Sequence, residues 1–348
     1  MPNQSLIRHL KIFRYFGYLP LKLENRAGEI SKPFLSLTIA IFAVMAFSTT
    51  YSNLSIATGN IAASALNQLK SLLSNVAPLL FFVHVIRRRG DFGKVTAKLM
   101  DLQRALDSTE YPMFWSVKIF SGIMLLMLAI MTIYRVIMVA AELSTPSRLV
   151  SELLLPVCLF PLLSVIAQFT YLANCLGVCF KKLRGSDFGK ITMTQYLHTY
   201  NEIVNLAEEI NGIYDLALST MLLLAFGNVI YTASFSFTAK QLSQIERIRY
   251  CSFLVVPVAV IVHILCSCQS VASSAAVCNK ALLDFRIHEC KRSIEDNLLL
   301  LHYSGNRPLS FKASNAVTIN YNLGVSMIAT FLTYTIVLYQ TELENNKN

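Results

Sequence analysis

The spacing of apolar and polar positions divides the chain into seven long apolar runs, at about 34–51, 67–86, 119–141, 149–180, 213–239, 251–276 and 317–339. Each is long enough to cross a bilayer as a helix, so the pattern predicts an all-α membrane protein with seven transmembrane helices. Prolines interrupt three of the runs, at Pro78, at Pro156 with Pro161, and at Pro257. Inside a bundle they predict kinks whose freed carbonyls are satisfied by neighbouring helices. Two of the connections carry a pattern of their own. Ile191 to Ile213 places Leu197, Tyr200, Ile203, Val204, Leu206, Ala207 and Ile210 at a helical period and leads straight into the fifth run. Asn279 to His302 does the same with Leu282, Phe285, Ile294, Leu298 and Leu301. A helix projecting from the membrane with one apolar stripe must bury it, and the pattern therefore predicts a packed helical layer beside the bilayer.

The seventh run is the most informative. It is uncharged from Val317 to Tyr339, yet Asn320, Asn322, Ser326, Thr330, Thr333, Thr335 and Gln340 are scattered along it. Polar groups gain nothing from lipid. They either hydrogen-bond to other helices or face water, and the run by itself leaves both readings open.

Composition agrees with the membrane assignment: 54% of residues are hydrophobic and 14% charged, too few polar groups to cover a soluble domain of this size. The lipid bilayer is thus the first partner. The formal charge of +10 reads as loop asymmetry. The N-terminal segment holds Arg8, Lys11, Arg14, Lys22, Arg26 and Lys32, and the connections after the second, fourth and sixth runs are similarly basic. On the opposite side stand only Arg148, Lys240, Arg247, Arg249 and Lys347. Cytoplasmic connections carry the excess of Lys and Arg, which puts the N-terminus in the cytoplasm and the C-terminus outside. No basic run is interleaved with an RNA-binding aromatic signature, so no nucleic-acid partner is expected. Residues 1–33 lack the pattern of a cleaved signal.

Candidate chemistry is sparse. The six histidines are dispersed, and no nucleophile elbow, phosphate loop or zinc-helix pattern is present. No enzymatic activity and no cofactor are expected. The eight cysteines lie in apolar runs or in the inner connection after the sixth. They form no extracellular disulfide framework and lack histidines at ligand spacing, so no metal is expected. An Asp-Phe-Gly-Lys segment recurs at 91–94 and 187–190 and reads as a helix-start device. An Asn53-Leu54-Ser55 triplet is a glycosylation acceptor pattern close to the membrane. Arg135, in the outer half of the third run, requires a partner or a wet cavity. Glu142 and Glu152 are the nearest candidates, either as structural ion pairs or with Arg135 as ligand contacts. In the second reading, Tyr134, Tyr231, Phe235 and Phe237 supply the walls of an outward-facing pocket.

Two stretches resemble the insect gustatory receptors, seven-span relatives of the insect odorant receptors. Residues 196–237 carry Y-L-H-T-Y-N-E-I-V-N-L-A-E-E-I-N-G-I-Y-D-L-A-L and the fifth run. Residues 297–340 carry N-L-L-L-L-H-Y-S-G-N-R-P-L-S-F-K-A-S-N-A-V-T-I-N and then T-Y-T-I-V-L-Y-Q. The family signature is Thr-Tyr, five apolar residues, then Gln-Phe. Thr333, Tyr334 and Gln340 fit it in register, and Thr341 stands where the phenylalanine belongs.

The resemblance implies a ligand-gated, non-selective cation channel, a homotetramer or a heterotetramer with other gustatory receptors, in the plasma membrane of sensory neurons. The seventh helix would line the pore with Thr333, Tyr334, Ile336, Val337, Leu338, Tyr339, Gln340 and Thr341. Gln340 would stand at the narrow part, and Leu338, Tyr339 or Thr341 would take the place of the missing phenylalanine gate. Glu342 and Glu344 would form either a cation-concentrating vestibule or a solvated tail. The ligand would be a small organic tastant, bitter-type rather than sugar, since the outer halves of the runs hold few carboxylates. The expected organisation is a cytoplasmic tail (1–33), a six-helix ligand-binding bundle (34–276), an anchor helix and linker (277–316), a pore helix (317–341) and an outer tail (342–348). The competing reading, a seven-span receptor signalling through a G protein, requires the opposite orientation. The chain lacks that class's Asp-Arg-Tyr and Asn-Pro-x-x-Tyr motifs in the third and seventh runs.

Overall fold

The computed structural model describes residues 86–106, 146–185, 193–238, 244–288 and 308–345, with isolated helical residues between 32 and 43 and at 83, 122, 129 and 133. The backbone alone is described at 89, 146–164, 193, 231, 233–238, 244–253, 282–288, 338–339 and 341–345. The first three apolar runs therefore lie almost wholly outside the described residues.

Five helices and a small hairpin make up the described part. Helix α1, Arg89–Ala105, holds Asp91 in its first turn and Arg104 in its last, charges that oppose the partial charges of the helix ends. The first Asp-Phe-Gly-Lys segment is thus a helix start, and Phe92 buries its ring from that turn. The second copy lies outside the described residues. Helix α2, Pro146–Arg184, contains the fourth run, passes unbroken through Pro156 and Pro161, and ends on Lys181, Lys182 and Arg184. Helix α3, Met193–Thr238, joins the amphipathic extension and the fifth run into one rod of 46 residues, about 70 Å long at the α-helical rise. Helix α4, Gln244–His288, continues through Pro257 and outlasts the sixth run at both ends. The stretches Thr194–Ile230 and Leu254–Ala281 are long and apolar enough to span a membrane.

Periodicity explains how these rods pack. Ile166, Phe169, Ala173, Leu176, Phe180 and Leu183 form a buried seam on α2, with steps of three and four residues. Val260, Ile264, Cys268, Val271, Ala275 and Cys278 form the matching seam on α4. On α3 the stripe expected from the sequence is buried at Tyr200, Ile203, Val204, Leu206, Ala207 and Ile210, and half-buried at Leu197. Phe92, Val95, Leu99 and Leu102 of α1 join the same cluster. Aromatic contacts mark its centre: Phe169 meets Tyr214 at 5.6 Å and Phe311 edge-on at 5.8 Å, while Phe180 meets Tyr200 at 5.7 Å. The core gathers where α2 ends and α3 begins, the end that the basic residues assign to the cytoplasm. Cys175, Cys179, Cys268 and Cys278 sit in it as free, buried thiols, filling space as small apolar side chains do.

One boundary differs from the sequence expectation. The apolar run begins at Val317, but helix α5 spans Tyr321–Asn345. Val317–Thr318 (β2) instead pairs antiparallel with Lys312–Ala313 (β1), Lys312 opposite Thr318 and Ala313 opposite Val317. Ala316 N–H donates to the Ala313 carbonyl at 3.1 Å. The turn between them places Ser314 and Asn315 at φ 49° and 55°, the left-handed region that matches a hairpin's twist. Hydropathy cannot register this change, because a short strand and a membrane helix draw on the same β-branched and apolar residues.

Candidate functional site

Helix α5 starts from Asn320. Its side-chain Oδ1 accepts from Leu323 N–H at 3.0 Å and its carbonyl from Gly324 N–H at 3.4 Å. This is an N-cap, which satisfies donors that a helix start otherwise leaves without partners. From there the helix presents three faces. Leu323, Gly324, Met327, Phe331, Tyr334 and Thr335 are half-buried and form the side turned to α3 and α4. A Cβ on Gly324 would stand 2.9 Å from Leu265 Cδ1, so glycine here permits a close crossing with α4.

The second face is apolar and, among the described residues, uncovered. Val325, Ile328, Leu332 and Ile336 are 53% to 65% exposed. The third face is polar, with Asn322, Ser326, Thr330, Thr333 and Gln340 all exposed. At 3.6 residues per turn it points about 140° away from the packed face. Val337 lies within this stripe and Ile336 on its border.

The hydroxyls on the polar face have their protons committed. Ser326 Oγ donates to the Asn322 carbonyl at 3.0 Å, Thr330 Oγ1 to Ser326 at 2.9 Å, and Thr333 Oγ1 to Ala329 at 2.9 Å. Each is an i to i−4 bond within the helix. Such a hydroxyl can offer its surroundings only lone pairs. The hydroxyls of the outward face are thus oxygen acceptors, and the Asn322 and Gln340 amides at its two ends present both a carbonyl oxygen and N–H donors.

The sequence-derived site residues are placed unequally. Thr333, Ile336, Val337 and Gln340 share the outward side of α5, and Tyr334 belongs to the packed side. Leu338, Tyr339, Thr341, Glu342 and Glu344 are on the helix, which continues to Asn345; their side chains lie outside the described residues. Tyr231, Phe235 and Phe237 follow one another along the last turns of α3, and Glu152 lies in the first part of α2, again with backbone alone described. Tyr134, Arg135 and Glu142 lie outside the described residues. The pocket expected from the sequence is therefore not assembled among the described residues. Sequence reasoning did not single out the continuation of the outward face through Ser326 and Thr330, nor the capping role of Asn320. The signal was present: Asn322, Ser326, Thr330, Thr333 and Gln340 recur at helical spacing.

Comparison with known proteins gives the arrangement a context. The family described as 7tm Chemosensory receptor matches residues 6–345. No curated protein matches. The fold is similar to the structure of the insect olfactory receptor OR5 from Machilis hrabei in complex with eugenol. The TM-score is 0.73 and the identity 17%, over 97% of this chain and 98% of that one. A second structure of the same receptor gives a TM-score of 0.72 and 16% identity, over 98% and 100%.

Proposed function

The chain belongs to the 7tm chemosensory receptor family, and on that premise we propose that it is a gustatory receptor, a ligand-gated and non-selective cation channel that opens on binding a small organic tastant. The observation that carries this reading is the polar face of α5. Its hydroxyl protons are tied back into the helix, so the face offers oxygen lone pairs to whatever passes. Several copies arranged about an axis would surround a path lined by neutral dipoles without fixed charge, which suits hydrated cations without a tight filter. Thr333, Ile336, Val337 and Gln340 line that path, with Gln340 at its narrow part and Leu338, Tyr339 or Thr341 closing it. Tyr334 braces the helix from the packed side. Glu342 and Glu344 would ring the outer mouth and concentrate cations there.

The apolar face between the packed and polar sides supports assembly, because a neighbouring copy or lipid must cover it. A tetramer, homomeric or with other gustatory receptors, is the arrangement that the family resemblance suggests. The N-terminus is cytoplasmic, the core cluster forms the anchor layer, and the membrane is the plasma membrane of a sensory neuron. The ligand pocket opens outward between the outer ends of the bundle, with Tyr134, Arg135, Glu142, Glu152, Tyr231, Phe235 and Phe237 as its candidate lining. A bitter-type organic ligand fits its aromatic character better than a sugar. The protein performs no catalysis and requires no cofactor.

Heterologous expression with patch recording tests the reading. A panel of bitter compounds, sugars and eugenol should evoke a current that persists when G-protein signalling is blocked. Gln340→Ala should change cation permeability ratios at normal surface expression. A response that vanishes with the G-protein block would instead favour the metabotropic reading, and permeation unchanged in Gln340→Ala would remove Gln340 from the pore.

A further inference from the structure

The hairpin ahead of α5 is not a loose linker. Phe311, Ala313 and Ile319 are buried, and Ile319 N–H donates to the Phe311 carbonyl at 2.8 Å. Two polar contacts fasten it to α3. Lys312 N–H donates to Asn211 Oδ1 at 3.0 Å, and the hydroxyls of Ser314 and Ser219 are 2.8 Å apart. Asn211 and Ser219 are about 12 Å apart along α3 at the α-helical rise. A two-point attachment with that separation fixes the direction of the hairpin as well as its position. The same turn of α3 holds α1, because Arg88 Nη1 donates to the Gly212 carbonyl at 3.1 Å. At its far end the hairpin runs from Ile319 directly into Asn320, the cap of α5.

We infer that the hairpin 309–319 is a rigid coupling that clamps the start of α5 to the Asn211–Ser219 stretch of α3, so that a displacement of α3 resets the position of α5. Asn211 is its central positioning residue. Helix α3 continues unbroken from Asn211 to Thr238, about 40 Å further along the axis, past Tyr231, Phe235 and Phe237. On the proposed reading of those residues as pocket lining, a ligand moving the outer end of α3 would move α5 through the hairpin. That consequence rests on the channel reading; the clamp itself does not.

The test therefore has one arm that requires no channel activity. Amide hydrogen exchange is measured on the full-length receptor in detergent, comparing wild type with Asn211→Ala and with the milder Ser219→Ala. Exchange should rise about tenfold or more at 311–319 and in the first turns of α5 for Asn211→Ala, and less for Ser219→Ala, while the buried seams of α2 and α4 stay protected. Asn211→Asp, which keeps an acceptor oxygen, should restore most of the protection. Faster exchange confined to 311–319, or spread evenly over α2 and α4, would overturn the clamp.

The second arm pairs Ser219→Cys with Ser314→Cys and records single-channel openings without ligand before and after oxidation. A rigid coupling predicts the same opening in the cross-linked and reduced forms. Openings that stop on oxidation and return on reduction would mean that the contact must break during gating, and would refute it. If the wild-type receptor carries no current, the channel reading fails, and exchange alone decides the clamp.

Discussion

Asn320 shows how one side chain can set a helix boundary within an apolar run. Its Oδ1 takes the Leu323 amide and ends the competition between strand and helix at that point. Asn320→Ala should cost about 1 kcal/mol, read as a lower unfolding midpoint in detergent, and Asn320→Asp should retain most of the stability. Asn315 carries a separate demand, a positive φ of 55°. Asparagine tolerates that region, whereas a β-branched side chain is strained there. Asn315→Val should therefore destabilise the hairpin by about 1–2 kcal/mol, measured in the same way, while Asn315→Gly should be tolerated. The sequence made Asn320 visible as a polar interruption of the run, but its role as a cap depends on where Leu323 places its amide. The Ser314-Asn315 pair was also visible. Flanked by Phe311 and Ala313 before it and Val317 and Ile319 after it, it alternates as a hairpin does, over too few residues to outweigh the long apolar run.

At the scale of elements, α3 divides its work along its length. Its first half buries an amphipathic stripe against α1, α2 and α4, and its second half is apolar over a wider arc. The stripe was legible because helical burial repeats every three to four residues, and Ile203, Val204, Ala207 and Ile210 keep that period without a break. Two contacts of α3 differ widely in energy. Lys98 and Glu209 form an ion pair with both side chains largely exposed, and such pairs contribute about 0–1 kcal/mol. Ile203 is fully buried, and truncating a buried isoleucine costs about 2–5 kcal/mol. Ile203→Ala should accordingly lower thermal stability far more than Lys98→Ala, as measured by fluorescence-detected unfolding in detergent. Equal effects would mean that the exposed ion pair contributes as much as a buried residue of the stripe.

At the scale of the whole molecule, α5 packs one of its three faces on α3 and α4 and leaves the other two exposed among the described residues. Its apolar face, Val325, Ile328, Leu332 and Ile336, is as exposed as its polar one, and in an assembly each face would find a different environment. Leu332→Lys places a charge on the apolar face and leaves the packed face untouched. It should shift the purified receptor from the assembled to the single-chain elution position while leaving helix content unchanged by circular dichroism. An unshifted elution profile would show that Leu332 faces lipid or the pore rather than a neighbour.

The sequence by itself determined the membrane class, the positions of the fourth to sixth runs, the body of the seventh and the buried stripe of α3. These follow from the local rules of hydropathy and helical period, which each segment obeys with little reference to the others. It also carried the family resemblance, through Thr333, Tyr334 and Gln340. Only the tertiary structure decided that residues 312–318 form a hairpin, that Asn211 and Ser219 receive it, and that Tyr334 turns inward while Thr333 and Gln340 turn outward. Those choices depend on partners a hundred residues away in the chain, and hydrogen bonds as specific as that from Lys312 N–H to Asn211 Oδ1 leave no period in the sequence. The polar residues of the seventh run, equally suited to packing or to water when read alone, were divided between the two by the packing of one side of α5 on α3 and α4, because the side that packs settles which side is left to face outward.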